Sequence, residues 1–218
     1  MTSAIEDYAK AIYALEGRGQ HVVSTNALAD RLGVTPASAS GMVKRLDELG
    51  LVEHRPYKGV SLTESGRRVA LEVMRHHRLL ELYLFESLGV PWDRVHDEAE
   101  VLEHVLSDEL EELIAAKLGD PTHDPHGDPI PTRDLEIEEG ATRSLQSLRT
   151  GDAGRFTRIS DSDPKMLRFL GERGITLGDE LEVIDKQPFD GPLFVRFGDD
   201  VHVLGGELAR AMRVEVRT

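Results

Sequence analysis

Apolar residues recur at helical spacing from Ile5 to Glu16, and Gly17-Arg-Gly19 supplies a stop signal. After Val22-Val23, Ser24-Thr-Asn26 reads as a helix start leading into Ala27-Leu-Ala-Asp-Arg-Leu32 and Gly33-Val-Thr35. A second helix begins at Pro36 with Thr35 as its cap, and runs through Leu49 to Gly50. Two short helices joined by a tight glycine-containing turn predict a helix-turn-helix. Leu51-Val-Glu-His-Arg55 and Gly59-Val-Ser-Leu-Thr63 then read as short strands around Pro56-Tyr-Lys-Gly59, which is the order of a winged helix. A long helical pattern follows from Glu64 to Leu88, broken at Gly89-Val-Pro-Trp92. A helix across His96–His104 comes next, and another from Ser107 to Leu118. Gly119 to Arg133 holds four prolines and reads as a loop. From about Ala153, β-rich runs at 155–159, 180–184, 193–197, 201–204 and 212–216 alternate with turns rich in Gly and Asp. One helix, Pro164 to Glu172, interrupts them, and the pattern predicts a small five-stranded SH3-like barrel.

Composition sharpens this outline. The 218 residues contain no cysteine, which excludes disulfides and thiolate-bound zinc or iron–sulfur centres. No run of about 18 apolar residues suggests a membrane span. The opening Met1-Thr-Ser-Ala-Ile-Glu-Asp7 lacks the pattern of a signal peptide, so the expectation is a soluble cytoplasmic protein with no membrane partner. The net charge of −14 is unevenly placed: residues 1–75 carry 10 Lys+Arg against 9 Asp+Glu, residues 76–140 carry 4 against 18, and residues 141–218 carry 12 against 13. A near-neutral first segment can still offer a basic face to phosphates, whereas the acidic middle would be relieved of self-repulsion by bound cations.

In that middle segment His96, Glu100, Glu103 and His104 stand at i, i+4, i+7 and i+8, one helical stripe of imidazole and carboxylate. His77 and Glu81 on the preceding helix form another i, i+4 pair, Asp7 lies on the first helix, and Asp124 and His126 lie in the proline-rich loop. These are ligand types for Mn, Fe(II), Zn or Co; the plain alternative is a solvated acidic helix face. In the helix-turn-helix, Thr35, Pro36, Ala37, Ser38, Ser40 and Gly41 form a small polar first turn able to approach base edges, with Lys44 and Arg45 further along. Arg55, Tyr57 and Lys58 of the wing suit backbone phosphates. No Ser-His-Asp set, Walker loop or GxGxxG stands out, and the reading is of a non-enzyme without a small-molecule substrate.

These residues resemble the diphtheria toxin repressor family of metal-dependent transcriptional regulators. The resemblance covers essentially the whole chain, most specifically at His77-Arg-Leu-Leu-Glu81, Val95-His-Asp-Glu-Ala-Glu-Val-Leu-Glu-His104 and Pro125-His-Gly-Asp-Pro-Ile-Pro131. It implies a mainly α fold with β: an N-terminal winged helix-turn-helix (1–70), a helical metal-binding and dimerisation domain (71–140) and a C-terminal SH3-like β-barrel (150–218). It further implies one metal site of Asp7, Glu100, Glu103 and His104. A second site is implied of His77, Glu81 and His96, extended by His126, Asp124 and Asp163. Lys165 and Met166 fall where iron-branch members carry an amide-type ligand. Asp7 and Glu100 stand where that branch has methionine and cysteine, so Mn(II) is the expected metal, with Fe(II) the alternative and Co, Zn and Cd as ions that bind in vitro. Lys10 stands where some short manganese members have a glutamate that builds a two-metal cluster, and argues for separated sites.

The implied function is a homodimeric repressor of metal-uptake genes that grips double-stranded operator DNA when loaded with metal. Without metal, mutual repulsion of the carboxylates is expected to leave the first helix loosely placed; with metal, Asp7 is drawn to Glu100, Glu103 and His104. Rival readings are a metalloenzyme that carries a winged helix and a winged-helix adaptor for protein contacts. The SH3-like segment is open to two uses, ligand donation or binding of the proline-rich Gly119–Pro131 stretch.

Overall fold

Helix α1 (Ser3–Glu16) buries Ile5, Tyr8, Ala9, Ala11, Ile12 and Leu15, the three-and-four spacing of an amphipathic helix. Its other face carries Glu6, Asp7 and Lys10. The computed structural model describes residues 2–17, 22–55, 58–189 and 191–217. The chain divides into two units. The first comprises Met1–His77, Glu100–Leu113 and Pro131–Glu136; the second comprises Arg78–Ala99, Ile114–Ile130 and Ile137–Thr218.

In the first unit, α2 (Thr25–Leu32) opens at Ser24, whose hydroxyl accepts the Ala27 amide, and closes at Gly33 in the left-handed conformation. Helix α3 (Pro36–Glu48) opens with Pro36 in its first turn and the Thr35 hydroxyl accepting the Ser38 amide, so the local signals and the structure coincide. Strands β1 (Val52–Arg55) and β2 (Gly59–Leu62) pair antiparallel to form the wing. Ile5, Ile12, Leu28, Val43, Leu46 and Val60 lie in one apolar core beneath them. Helix α4 (Glu64–Leu88) gives its residues up to His77 to the first unit and the remainder to the second. Helices α5 (Val95–Leu102) and α6 (Asp108–Lys117) divide similarly. Glu103 and His104 therefore stand just beyond α5, in a turn closed by Val105 N–H to Leu102 C=O, and not on one continuous helical stripe.

The second unit holds β3 (Arg143–Ser144), β4 (Ala153–Ile159), helix α7 (Pro164–Gly171), β5 (Glu180–Lys186), β6 (Leu193–Phe197), β7 (Asp200–Leu204), helix α8 (Gly206–Ala211) and β8 (Met212–Val216). The strands form an antiparallel sheet in the order β3-β8-β4-β5-β6-β7. Five were expected; the sixth, β3, is two residues long and offers no alternation to read. Phe156, Ile159, Leu167, Leu170, Val195 and Val214 are among its fully buried core. The proline-rich loop lies along β4. Ile159 N–H donates to His126 C=O at 2.9 Å, Arg158 reaches Asp128 Oδ1 at 2.6 Å, and Gly127 has φ +83° with Thr157 C=O against its Cα. These contacts hold the loop against β4 and fix Asp124 and His126 by that attachment.

Candidate metal centre and DNA-reading surface

In the first unit α1 meets the α5–α6 turn. His104 Nδ1 lies 2.6 Å from Glu6 Oε2, while its Nε2 lies 3.0 Å from Asp7 Oδ1 and 3.5 Å from Glu103 Oε1. Both ring nitrogens of His104 thus face carboxylates, and a cation held among Asp7, Glu103 and Nε2 would leave Nδ1 to donate to Glu6. Asp7, Glu103 and His104 have one ligand atom each within 4.8 Å of the others, a donor set suited to a hard divalent cation. Burial pushes the Asp7 carboxyl above its ordinary value despite the opposing charges of His104 and Lys10.

Glu103 is the centre of this cluster and is almost fully buried. Its Oε2 lies 2.5 Å from His77 Nδ1, and Lys10 Nζ stands 2.6 Å from both Glu103 Oε1 and Glu100 Oε1. Burial alone would raise the Glu103 carboxyl, yet the His77 hydrogen bond and the Lys10 charge outweigh it and hold the group below its usual range. Burial likewise works against the Lys10 charge, and the two glutamates more than compensate. One ammonium on α1 thus offsets one of the two carboxylate charges, so the repulsion expected without metal is relieved in part. Behind the turn, His76 Nδ1 donates to Glu103 C=O at 3.2 Å and its Nε2 lies 3.0 Å from Glu111, which Arg75 also holds.

The second unit carries a separate cluster. His96 Nδ1 lies 3.0 Å from Asp161 and 3.3 Å from Glu81 Oε1; these two carboxylates raise His96 to about 10, Asp161 foremost. On the other side Glu81 Oε2 faces His126 Nδ1 at 3.7 Å, and Asp124 completes a fully buried trio. His126 Nε2 donates to Trp92 C=O at 2.7 Å, so in the neutral ring Nδ1 is a buried lone pair with no hydrogen bond of its own. Burial opposes charge on His126, yet Glu81 raises it to about 9; a buried acceptor facing a carboxylate oxygen calls for a proton or a cation. The donors present fit a divalent metal. Asp124, with Oδ1 accepting the amides of His126 and Asp128, is pushed well up by burial and by the neighbouring Asp128 and Glu81.

Asp163, expected in this cluster, is found elsewhere: its carboxylate caps α7 by accepting the Lys165 amide at 2.9 Å. Asp161, two residues earlier, reaches His96 in its place. The signal was present, since Asp followed by Pro164 is a helix-start pattern that commits Asp163 to the backbone. Glu6 was also missed, because orienting a ring leaves no periodic trace in the sequence.

On α3, Thr35, Pro36, Ala37, Ser38, Ser40, Gly41, Lys44 and Arg45 are all exposed, while Ala39, Val43 and Leu46 face the core. Space is open around Gly41, and Ser40 donates to Pro36 C=O, so the first turn presents a low, rigid surface. Arg55 and Lys58 are exposed on the wing; Tyr57 lies outside the described residues.

Comparison with known proteins covers all three segments. Residues 1–60 match the family model described as "Iron dependent repressor, N-terminal DNA binding domain", residues 63–132 the "metal binding and dimerisation domain" of the same repressors, and residues 143–216 the FeoA domain. The diphtheria toxin repressor of Corynebacterium efficiens is 33% identical, with 99% of this chain and 96% of that protein covered. The iron-dependent repressor IdeR of Mycobacterium tuberculosis is 32% identical, covering 99% and 98%. A solved structure of a manganese-dependent transcriptional repressor in complex with manganese is 46% identical, with a TM-score of 0.91 over 96% of this chain and 98% of the other.

Proposed function

Because the chain belongs to the diphtheria toxin repressor family of metal-dependent transcriptional repressors, we propose that it is a manganese-activated repressor that grips operator DNA as a cytoplasmic homodimer and governs metal-uptake genes. The observation that carries this reading is the Asp7–Glu103–His104 set, in which a residue of α1 and a residue pair of the α5–α6 turn share one constellation. Asp7, Glu103 and His104 would hold a divalent ion there, and its charge would offset that of the two carboxylates. Glu6 keeps the His104 lone pair directed at that point, and Lys10 offsets the charge of Glu100 and Glu103. Since α1 packs in the same apolar core as α2 and α3, its position sets that of the recognition helix. In a dimer this fixes the spacing of two such helices. We read residues 1–70 as the DNA-binding segment, 71–140 as the metal-binding and dimerisation segment and 150–218 as the SH3-like segment.

Small residues in the first turn of α3 imply contact with thymine methyls and DNA shape, with Lys44, Arg45, Arg55, Tyr57 and Lys58 on phosphates. Val101, Val105 and Leu113 are 71%, 77% and 62% exposed, an apolar surface suited to a second copy of the chain. Among the described residues no helix is long and apolar enough to cross a membrane.

Manganese is supported by donors that are all carboxylate or imidazole, and by the similarity to the manganese-dependent repressor. Fe(II) is the second reading, favoured by the whole-length similarity to iron-dependent repressors, and Co, Zn and Cd suit the same donors in vitro. Fluorescence anisotropy on operator DNA, titrated metal by metal, tests this. Mn(II) is expected to raise DNA affinity at least tenfold and Asp7→Ala to abolish that gain; DNA binding indifferent to metal would defeat the reading.

A further inference from the structure

The wing is a two-stranded ribbon, and such a ribbon holds its place by what its edges are tied to. Strand β2 pairs with β1 along one edge. Along the other, Val23 N–H donates to Val60 C=O at 2.8 Å and Val60 N–H to Val23 C=O at 2.9 Å. Two residues on, where the same edge turns its next amide outward, a side chain stands in for a strand: Leu62 N–H donates to Glu16 Oε1 at 2.9 Å. Glu16 is the last residue of α1 and is half-buried. It lies one turn beyond Ile12, which is wholly buried in the core that also holds Val23 and Val60. The same end of α1 is braced against α4, where the Arg67 guanidinium lies 4.9 Å from the centre of the Tyr13 ring and donates to its hydroxyl at 3.4 Å.

Asp7 stands nine residues before Glu16, about two and a half turns and about 13 Å along α1, so the two side chains leave the helix on opposite sides. Asp7 reaches the α5–α6 turn and Glu16 reaches the wing. We propose that Glu16 is the positioning residue through which the metal state of α1 reaches the wing. A helix fixed at Asp7 presents the Glu16 carboxylate at a fixed point, and that carboxylate sets the outer edge of β2 and with it Arg55 and Lys58. The inference rests on the metal reading above and extends it from the recognition helix to the wing. A backbone amide given to a carboxylate makes a charge-assisted bond, stronger than a neutral pairing, and an amide deprived of it is costly to bury. Without metal the same bond ties β2 to a helix that Asp7 does not hold, so the wing shares that freedom. Metal thus acts on two DNA-contacting elements by separate routes, on α3 through the apolar core and on β2 through one hydrogen bond.

The experiment measures DNA affinity by fluorescence anisotropy, with and without Mn(II), on the full chain and on Glu16→Ala, Glu16→Met and Glu16→Gln. The DNA is a palindromic duplex selected by the Mn(II)-loaded wild type, and isothermal titration gives the Mn(II) affinity of each variant. Glu16→Ala and Glu16→Met lack the acceptor. They are expected to keep wild-type Mn(II) affinity and metal-free DNA binding, while their metal-loaded DNA affinity falls by about tenfold, the worth of one hydrogen bond to a charged group. Glu16→Gln keeps an oxygen acceptor and is expected to restore most of that affinity. Hydrogen exchange of the β2 amides in the wild type, a measurement that needs no variant to fold, should slow when Mn(II) is added. Acceptor-free variants that lose DNA affinity equally with and without metal, or not at all, would overturn the proposal and leave the metal reading standing; so would wild-type β2 amides whose exchange ignores Mn(II). Wild-type DNA binding indifferent to Mn(II) would overturn the metal reading, and the role of Glu16 with it.

Discussion

Gly127→Ala is a stringent test of how the second cluster is assembled. The loop bearing Asp124 and His126 approaches β4 so closely that a Cβ on residue 127 would stand 2.0 Å from Thr157 O and 2.9 Å from Arg158 Cα, at a φ of +83°. The left-handed conformation alone costs an alanine about 1–2 kcal/mol. Backbone atoms cannot yield as a flexible side chain does, so the loop must also lift from the strand. It then loses the Ile159-to-His126 hydrogen bond, about 1 kcal/mol. The total is about 3 kcal/mol, or roughly 6–12 °C in Tm for a chain of this size. Because His126 and Asp124 move with the loop, metal affinity of the second cluster should fall by about tenfold or more. Gly151→Ala is the control: its φ of +88° is equally unfavourable, but nothing lies within 4 Å of the added carbon, so only about 1–2 kcal/mol is expected. Differential scanning calorimetry and isothermal titration with Mn(II) read both quantities. Equal Tm losses for the two variants would refute the close-approach argument.

Two further outcomes follow from the same geometry. Asp161→Asn should weaken metal binding at the second cluster, whereas Asp163→Ala should cost about 1 kcal/mol as a lost helix cap and leave metal affinity unchanged; calorimetry and titration on the pair separate the roles, and the reverse pattern would restore Asp163 as the ligand. For His76, burial acts to lower the imidazole, but Glu111 and the Glu103 carbonyl outweigh it and hold the group above its ordinary 6.5. A group raised on folding stabilises fully below its unfolded value and loses that contribution as pH climbs through the folded one. In metal-free protein the Tm gap between wild type and His76→Gln should therefore be largest below the ordinary value of 6.5 and shrink as the pH rises above it. A gap independent of pH would show that His76 acts through packing alone.

The helices, the wing and most of the barrel strands were legible because each has a periodic apolar face and a marked start, such as Thr35-Pro36 or Ser24. The His/Glu pattern was legible for the same reason, although α5 stops at Leu102 and a turn carries Glu103 and His104 onward. What could not be read depends on contacts across long stretches of sequence. Glu6 matters because residue 104 packs beside it. Asp161 and Asp163 differ in role only because Pro164 starts a helix that claims one of them. The meeting of Lys10 with Glu100 and Glu103 spans about ninety residues, beyond the reach of any local pattern.

Glu103 touches α1 and α4 through its side chain and His76 through its carbonyl, and no replacement preserves all of these at once. Glu100, paired with the same Lys10, has a side chain 39% exposed at the edge of the cluster. An exchange of the Glu100 oxygen for another donor would therefore change the margin of the cluster and leave the contacts of its centre, Glu103 with Lys10 and His77, to be made as before.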